Sequence, residues 1–161
     1  MTDEMTAPDS IRNIDSLVAN EFEVLIDDEP VSGIFSIGGL VTFKLEVKTT
    51  TSMKKLTEPF TIKKMVQRDP HNIFNAWVRD TFAAEADIVR PTRTVSILAI
   101  DDGTEIRRWT VKKAWISQIK YSDFSTSSSE MIEETITIQY EDVEESWPLL
   151  NAPEQLPDGT D

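Results

Sequence analysis

From Glu130 to Tyr140 the chain alternates polar and apolar residues almost without a break. An alternation of period two puts one face of a strand on a core and the other in solvent, so this stretch must pair within a sheet. Upstream, a tryptophan-bearing strand runs into Ala114-Trp115, and a serine-rich loop, Ser125 to Ser129, separates the two strands. Such a run is usually a low-complexity spacer. Between two strongly patterned strands, an ordered or interface loop fits equally well.

The same reading along the chain gives a mainly β, antiparallel sandwich or barrel of about six or more strands, carrying one packed helix. Strands are expected at Glu21–Ile26, from Ile34, at Val41–Lys48, at Phe60–Gln67, at Arg93–Ile100, at Glu105–Ile116 and at Glu130–Tyr140. In Val41–Lys48, Val41, Phe43, Leu45 and Val47 form a dry face, and Thr42, Lys44, Glu46 and Lys48 a wet one. Asp27 to Pro30 reads as a turn, Gly38-Gly39 as a bulge or sharp bend, and Asp102-Gly103 as a hairpin turn. Thr49 to Glu58, rich in threonine and lysine, is expected to be an exposed loop. Asp69-Pro70 is expected to start the helix, Asp69 capping it, with Ile73, Phe74, Trp77, Val78 and Phe82 on its apolar side. With a single helix, repeated βαβ units fail, which excludes a doubly wound sheet.

Three regions are expected. Residues 1–20 form a weakly patterned arm in which Ile11, Ile14, Leu17 and Val18 have helical spacing. Residues 21–145 form the β domain. Residues 146–161, with three prolines and several acids, form an irregular tail. A chain of 161 residues suits one domain that buries about 70% of its unfolded surface.

Composition excludes several functions. The chain has no cysteine, which removes disulfides, thiol catalysis and thiolate metal sites and fits a reducing compartment. The 29 acidic and 16 basic residues leave a net charge of −13, a surface that repels phosphates and anionic lipids. No run approaches the ~20 apolar residues of a membrane helix, and Met1–Ser10 lacks the pattern of a secretion signal. His71, the single histidine, falls in the expected first helical turn, where protonation is disfavoured, and reads as a surface residue. The acidic turns lack calcium-loop spacing, and no phosphate-cradling glycine motif occurs. Glu133 and Glu134 point to opposite faces and cannot share a substrate atom. No catalytic, cofactor-binding or metal-binding residue is assigned. Glu134 shares a face with Ile132, Ile136 and Ile138. Either it opens to water at a strand end or pairs there with a cation, or it forms a buried ion pair that fixes register or a subunit contact; a paired, structural role is slightly favoured.

Taken in order, these segments resemble the tail tube proteins of contractile phages and contractile injection systems, which share a fold with the type VI secretion tube. The resemblance rests on Ala114-Trp115, Ser127-Ser128-Ser129-Glu130 and Glu134-Thr135-Ile136-Thr137-Ile138, against a family pattern of Ala-Trp-Pro, Ser-Ser-Asn-Glu and Ile-Glu-Thr-Leu-Glu-Leu. Ser36 to Leu40, Phe60 to Lys64, Trp77 and the Ile97–Trp109 hairpin fall in matching order, so the likeness covers about residues 20 to 142. Ile116 replaces the usual proline, Met65 a common glycine, and Ser52–Pro59 lacks the usual glycines.

The resemblance implies a structural subunit, not an enzyme, whose copies form hexameric rings that stack into a hollow inner tube. A tube-initiating or adaptor ring at the baseplate is the alternative, and a free-standing ligand-binding or enzymatic β-domain a more distant one. It implies no cofactor. Its partners would be further copies, a sheath protein, baseplate and tube-terminating proteins, and a cargo effector or phage DNA in the lumen. The protein would be made in the bacterial cytoplasm and end in a phage tail or injection-system particle. Thr42, Lys44, Glu46, Lys48, Glu133, Thr135, Thr137 and Gln139 are then expected to line the channel. Thr50, Ser52, Met53, Lys54, Lys55 and Leu56 are expected in a loop that reaches the next ring.

Overall fold

The computed structural model describes residues 21–151; the arm and residues 152–161 of the expected tail lie outside them. Ten strands run in the order β1 (Phe22–Ile26), β2 (Glu29–Val31), β3 (Ile34–Gly38), β4 (Leu45–Thr49), β5 (Ser52–Lys55), β6 (Phe60–Met65), β7 (Arg93–Asp101), β8 (Thr104–Tyr121), β9 (Glu133–Gln139) and β10 (Asp142–Ser146). Helix α1 (Ile73–Ala84) lies between β6 and β7, and a 3-10 turn at Pro148–Asn151 follows β10.

All pairings are antiparallel, and β8 belongs to two sheets. Its first part pairs with β7 on one side and β10 on the other, giving the order β2-β1-β7-β8-β10. From Trp115 onward it pairs with β9, giving the order β8-β9-β6-β3. The pairs Gln139↔Trp115 and Asp142↔Lys112 hold one register, so β9 and β10 run as one kinked partner along the length of β8. Lys113, at φ 53°, and the register shift opposite Arg93 and Val95 mark where β8 leaves the first sheet. Neither sheet closes on itself. The barrel alternative is therefore not realised among the described residues, where β2, β3 and β10 each have a neighbour on one side only, as does β8 beyond Ala114.

Two tight turns follow from sequence. Asp27 and Asp28 (φ 50° and 69°) and Asp102 and Gly103 (φ 54° and 80°) each join paired strands through two left-handed residues. That backbone matches the twist of a hairpin, and Asp and Gly tolerate it best. Asp27 is also pinned: its backbone N–H donates to Thr94 O, and its carboxylate accepts from Thr94 N, both at 2.9 Å. Gly39, at φ 78°, supplies the bend after β3, whereas the bulge lies earlier, between Ile34 and Ser36.

The inward residues of both sheets meet in one core. Val24, Ile26, Val95, Ile97, Val111 and Val143 come from the first sheet, and Phe60, Ile62, Ile116, Ile136 and Ile138 from the second. Phe74, Trp77 and Val78 of α1 join them, and the Trp77 indole N–H donates to Pro91 O at 3.0 Å. The helix starts later than its sequence suggests. Asn72, not Asp69, is the cap, accepting from Asn75 N at 2.8 Å. Asp69 instead holds the preceding turn, its carboxylate accepting from the N–H of His71. His71 is exposed and lies ahead of the helix, and Phe82 is exposed at its far end.

The largest correction concerns Val41–Lys48. Only Leu45–Thr49 is a strand, and it pairs solely with β5 in a two-stranded hairpin outside both main sheets. Most of the expected dry face is bare: Phe43, Leu45 and Val47 are exposed and Val41 is half-buried. The expected loop contains the return strand Ser52–Lys55. The period-two pattern reports a ladder, but no side chain among the described residues covers its apolar face. Strand β10 also lies where a short, acidic sequence gave little β signal, and Pro148–Asn151 forms a 3-10 turn rather than irregular chain.

Candidate assembly surfaces

Three features of the second sheet bear on assembly. The first is its outward face. Thr135 lies between Lys63 of β6 and Lys120 of β8, and Thr137 between Thr61 and Gln118. Gln139 lies opposite Trp115, and its amide donates to Ser117 Oγ at 3.3 Å. These side chains are exposed or half-buried, whereas Glu134, Ile136 and Ile138 between them are buried. The result is a largely hydrophilic surface across β8, β9 and β6, with the half-buried Trp115 and Met65 at its margins, while β3 carries the exposed Phe35.

Glu133, Thr135, Thr137 and Gln139 thus share this surface. Thr42, Lys44, Glu46 and Lys48 do not belong to it, because β4 pairs with β5 alone. Thr42 donates to Glu145 at 3.1 Å, and Lys44 forms an ion pair with Glu58. Thr61, Lys63, Gln118 and Lys120 were missed on the sequence. The alternation within Phe60–Met65 carried the signal for Thr61 and Lys63.

Beneath this surface lies the partner of Glu134. Lys64 Nζ is 3.0 Å from Glu134 Oε1 and 2.9 Å from Met65 O, and it stands 4.8 Å from the centre of the Phe74 ring. Lys64 is 0% and Glu134 3% exposed. The two residues are direct cross-strand partners, and Tyr121 of β8 pairs with Glu134 on the other side. Burial raises the Tyr121 phenol above its ordinary pKa, and the Glu134 charge and hydrogen bond add to the rise. A charge pair this dry ties β6, β8 and β9 together in one register, which is the buried-ion-pair reading of Glu134.

The second feature is the β4–β5 hairpin. Its base is clamped to the body. The Tyr140 hydroxyl donates to Val41 O at 2.9 Å and accepts from Glu58 N at 3.3 Å. Lys55 Nζ is 2.8 Å from Asp142 Oδ1, and this hydrogen bond holds the Asp142 carboxyl below its usual range. Beyond the clamp the hairpin stands free. Thr50, Ser52, Met53 and Lys54 are exposed there, while Lys55 and Leu56 belong to the base.

The third feature is the β8–β9 connection, an arch of residues 122–132. Its ends are tied by Ser122 N to Glu133 O and by Glu133 N to Ser122 Oγ, both at 3.0 Å. The serine run is ordered by its own hydroxyls: Ser125 Oγ accepts from Ser127 N, and Ser128 Oγ from Glu130 N. The arch encloses an open cleft of about 760 Å³.

Among the described residues there is no group of three or more His, Cys, Asp or Glu able to hold a metal ion. No helix among them is long and apolar enough to cross a membrane.

A family model described as T4-like virus tail tube protein gp19 matches residues 18–144. No curated protein matches the sequence significantly. Among solved structures, the fold is similar to a chain of the sheath–tube complex of the extracellular contractile injection system PVC in its extended state. Identity there is 16% and the TM-score 0.61, covering 86% of this chain and 97% of that one. A chain of the six-fold symmetrised anti-feeding prophage baseplate is 13% identical with a TM-score of 0.57, covering 82% and 96%. A chain of the same prophage's tube-terminating cap is 22% identical with a TM-score of 0.61, covering 82% and 91%.

Proposed function

Since the chain belongs to the family of the T4-like virus tail tube protein gp19 and is an inner-tube subunit of a contractile tail or injection system, we propose that six copies close into a ring lined by the second sheet. The carrying observation is that this sheet has one largely hydrophilic face and, among the described residues, two edges without a neighbour, β3 and the end of β8. Pairing β3 of one copy with β8 of the next removes both edges at once. Six-fold closure is taken from the symmetry of the baseplate relative.

Four strands from each of six copies give a continuous barrel. At ~4.8 Å per strand and a tilt of about 40°, its backbone circle is roughly 48 Å across. Side chains narrow that opening, yet a folded polypeptide segment or a DNA duplex fits. Glu133, Thr135, Thr137 and Gln139 line this channel together with Thr61, Lys63, Gln118 and Lys120. Short hydroxyls, amides and a few charges keep it wet and leave passing cargo little that is apolar beyond the half-buried Trp115 and Met65. Thr42 and Lys44 are better explained as the hairpin's footing, and Glu46 and Lys48 as part of its free arm.

The hairpin, with Thr50, Ser52, Met53 and Lys54 exposed, reaches the neighbouring ring. The partners are those of the relatives' assemblies: a sheath around the tube, a baseplate beneath it and a terminating cap. Cargo, an effector or phage DNA, travels inside. The chain is made in the bacterial cytoplasm and ends in the particle.

Negative-stain microscopy of the purified protein tests this. Stacked hollow cylinders are expected. Isolated rings would favour an adaptor ring at the baseplate, and monomers at high concentration would overturn ring closure.

A further inference from the structure

The outward face of the second sheet carries a charge opposite to that of the whole chain. The protein has 29 acidic and 16 basic residues, which leave it at −13. Yet one row across that face reads Lys120, Thr135, Lys63 and Ser36, a residue from each of β8, β9, β6 and β3. Both lysines are exposed, and neither forms an ion pair among the described residues. Elsewhere Lys44, Lys55, Lys64, Lys112 and Lys113 all pair with acids. Glu133 is the one acid on this face among the described residues. It stands at the end where the arch closes, with Asp123 and Glu130 in the arch beyond it. An acid-rich chain thus leaves these two lysines unmatched.

Strands lie ~4.8 Å apart, so the two lysine backbones are about 10 Å apart, with Thr135 between them. Two ammonium groups and two hydroxyls on one row make a receptor for carboxylates. In the ring proposed above, six copies repeat the row around the channel. Size then selects the kind of anion. A side-chain layer about 5 Å deep narrows the backbone circle of roughly 48 Å to a bore of roughly 38 Å. A compact domain of about 100 residues is about 33 Å across, so it brings its surface carboxylates to the wall on every side. A DNA duplex is narrower. Running along the axis, it leaves a water-filled gap in which salt screens the lysines.

We propose that the belt formed by Lys63 and Lys120 binds the carboxylates of a folded, acidic protein cargo and holds it in the channel by charge. The inference rests on the lumen reading and names the class of cargo. Contacts of this kind are individually weak and exposed, so the cargo is released as salt rises.

Tubes assembled in the presence of a fluorescent domain of about 100 residues and a net charge near −10 test it, with a short DNA duplex in a parallel assembly. After pelleting and protease treatment, the acidic domain is expected to remain in the pellet, protected. Lys63→Gln with Lys120→Gln is expected to cut its retention about tenfold or more, and Lys63→Arg with Lys120→Arg to preserve it. Salt at about 1 M should release it. No retention by unaltered tubes, undiminished retention in the glutamine pair, or a duplex held more firmly than the domain would overturn the assignment.

A footprint on the unaltered protein covers the case in which the glutamine pair does not assemble. Loaded cargo should slow acetylation of Lys63 and Lys120 and leave Lys112, on the first sheet, unchanged. Equal rates in empty and loaded tubes would overturn the belt. Empty tubes report on the lumen reading separately. A small acetylating reagent should reach both lysines, and one tethered to a protein wider than the bore should reach neither. That result upholds the lumen reading whatever the cargo does, and equal modification by both reagents would sink it.

Discussion

Removing the Glu134 carboxylate should be among the most damaging single changes in the body of the protein. Glu134→Leu leaves Lys64 with its ammonium 0% exposed, beside Phe74, with only Met65 O as an acceptor. An uncompensated buried charge of this kind costs about 3–5 kcal/mol. That is a large part of the ~5–15 kcal/mol that holds a typical domain folded. At about 2–4 °C per kcal/mol for a chain of this size, the midpoint should fall by roughly 6–20 °C. Lys64→Met combined with Glu134→Leu deletes both charges and fills the space, so it should return to within about 1 kcal/mol of the unaltered protein or exceed it. The measurement is thermal and urea unfolding at one fixed protein concentration, because association of copies adds to apparent stability. The reasoning fails if the single change costs less than about 1 kcal/mol, or if the double variant is as unstable as the single one.

Other outcomes follow from the geometry. Deleting Met53 to Leu56 should leave rings but prevent tubes in electron micrographs, since it removes the free arm's return strand. Asn72→Ala should cost about 1 kcal/mol in urea unfolding, because the Asn75 N–H loses its acceptor. The Asp142 carboxyl should titrate below the ordinary carboxylate range in a carbon-detected NMR titration and return to that range in Lys55→Met. Its folded pKa is depressed, so its contribution to holding the hairpin base is present above the unfolded value and lost as pH falls through the folded one. Thr137→Cys should react with a small maleimide in assembled tubes and be protected from a maleimide on a folded protein too wide for the channel. Equal labelling outside and inside would contradict the lumen assignment.

Much of the fold was legible because its core strands carry their own evidence. Phe60–Met65 and Glu133–Gln139 alternate, each burying one face, and the left-handed pairs Asp27-Asp28 and Asp102-Gly103 announce their turns. Two errors have physical causes. Alternation in Val41–Lys48 is a signal of a ladder with one apolar face, and it is silent on whose atoms cover that face; here Phe43 and Val47 are left exposed among the described residues. Asp142–Ser146 offers Val143 as its single buried aliphatic residue, and it is a strand because β8 is long enough to pair with it. The channel residues were half legible. The pattern separates Thr135 from Ile136, but that Lys63 and Lys120 flank Thr135 is fixed by register across three strands. Glu134 was recognisable as out of place among isoleucines, while Lys64 looked like one of a basic pair until the sheet brought the two together.

Strand β8 has a mechanical consequence. Its 18 residues form one strand, bent at Lys113, from the Asp102-Gly103 turn to the arch, with β10 and β9 hydrogen-bonded along its flank from Arg108 to Tyr121. A thrust delivered at the arch therefore travels down a double rail. Ladder bonds lie across the strands, so such a load shears many of them together instead of unzipping them one at a time. A tube subunit thus carries its own strut, and along β8 the force path passes from one sheet to the other without leaving the strand.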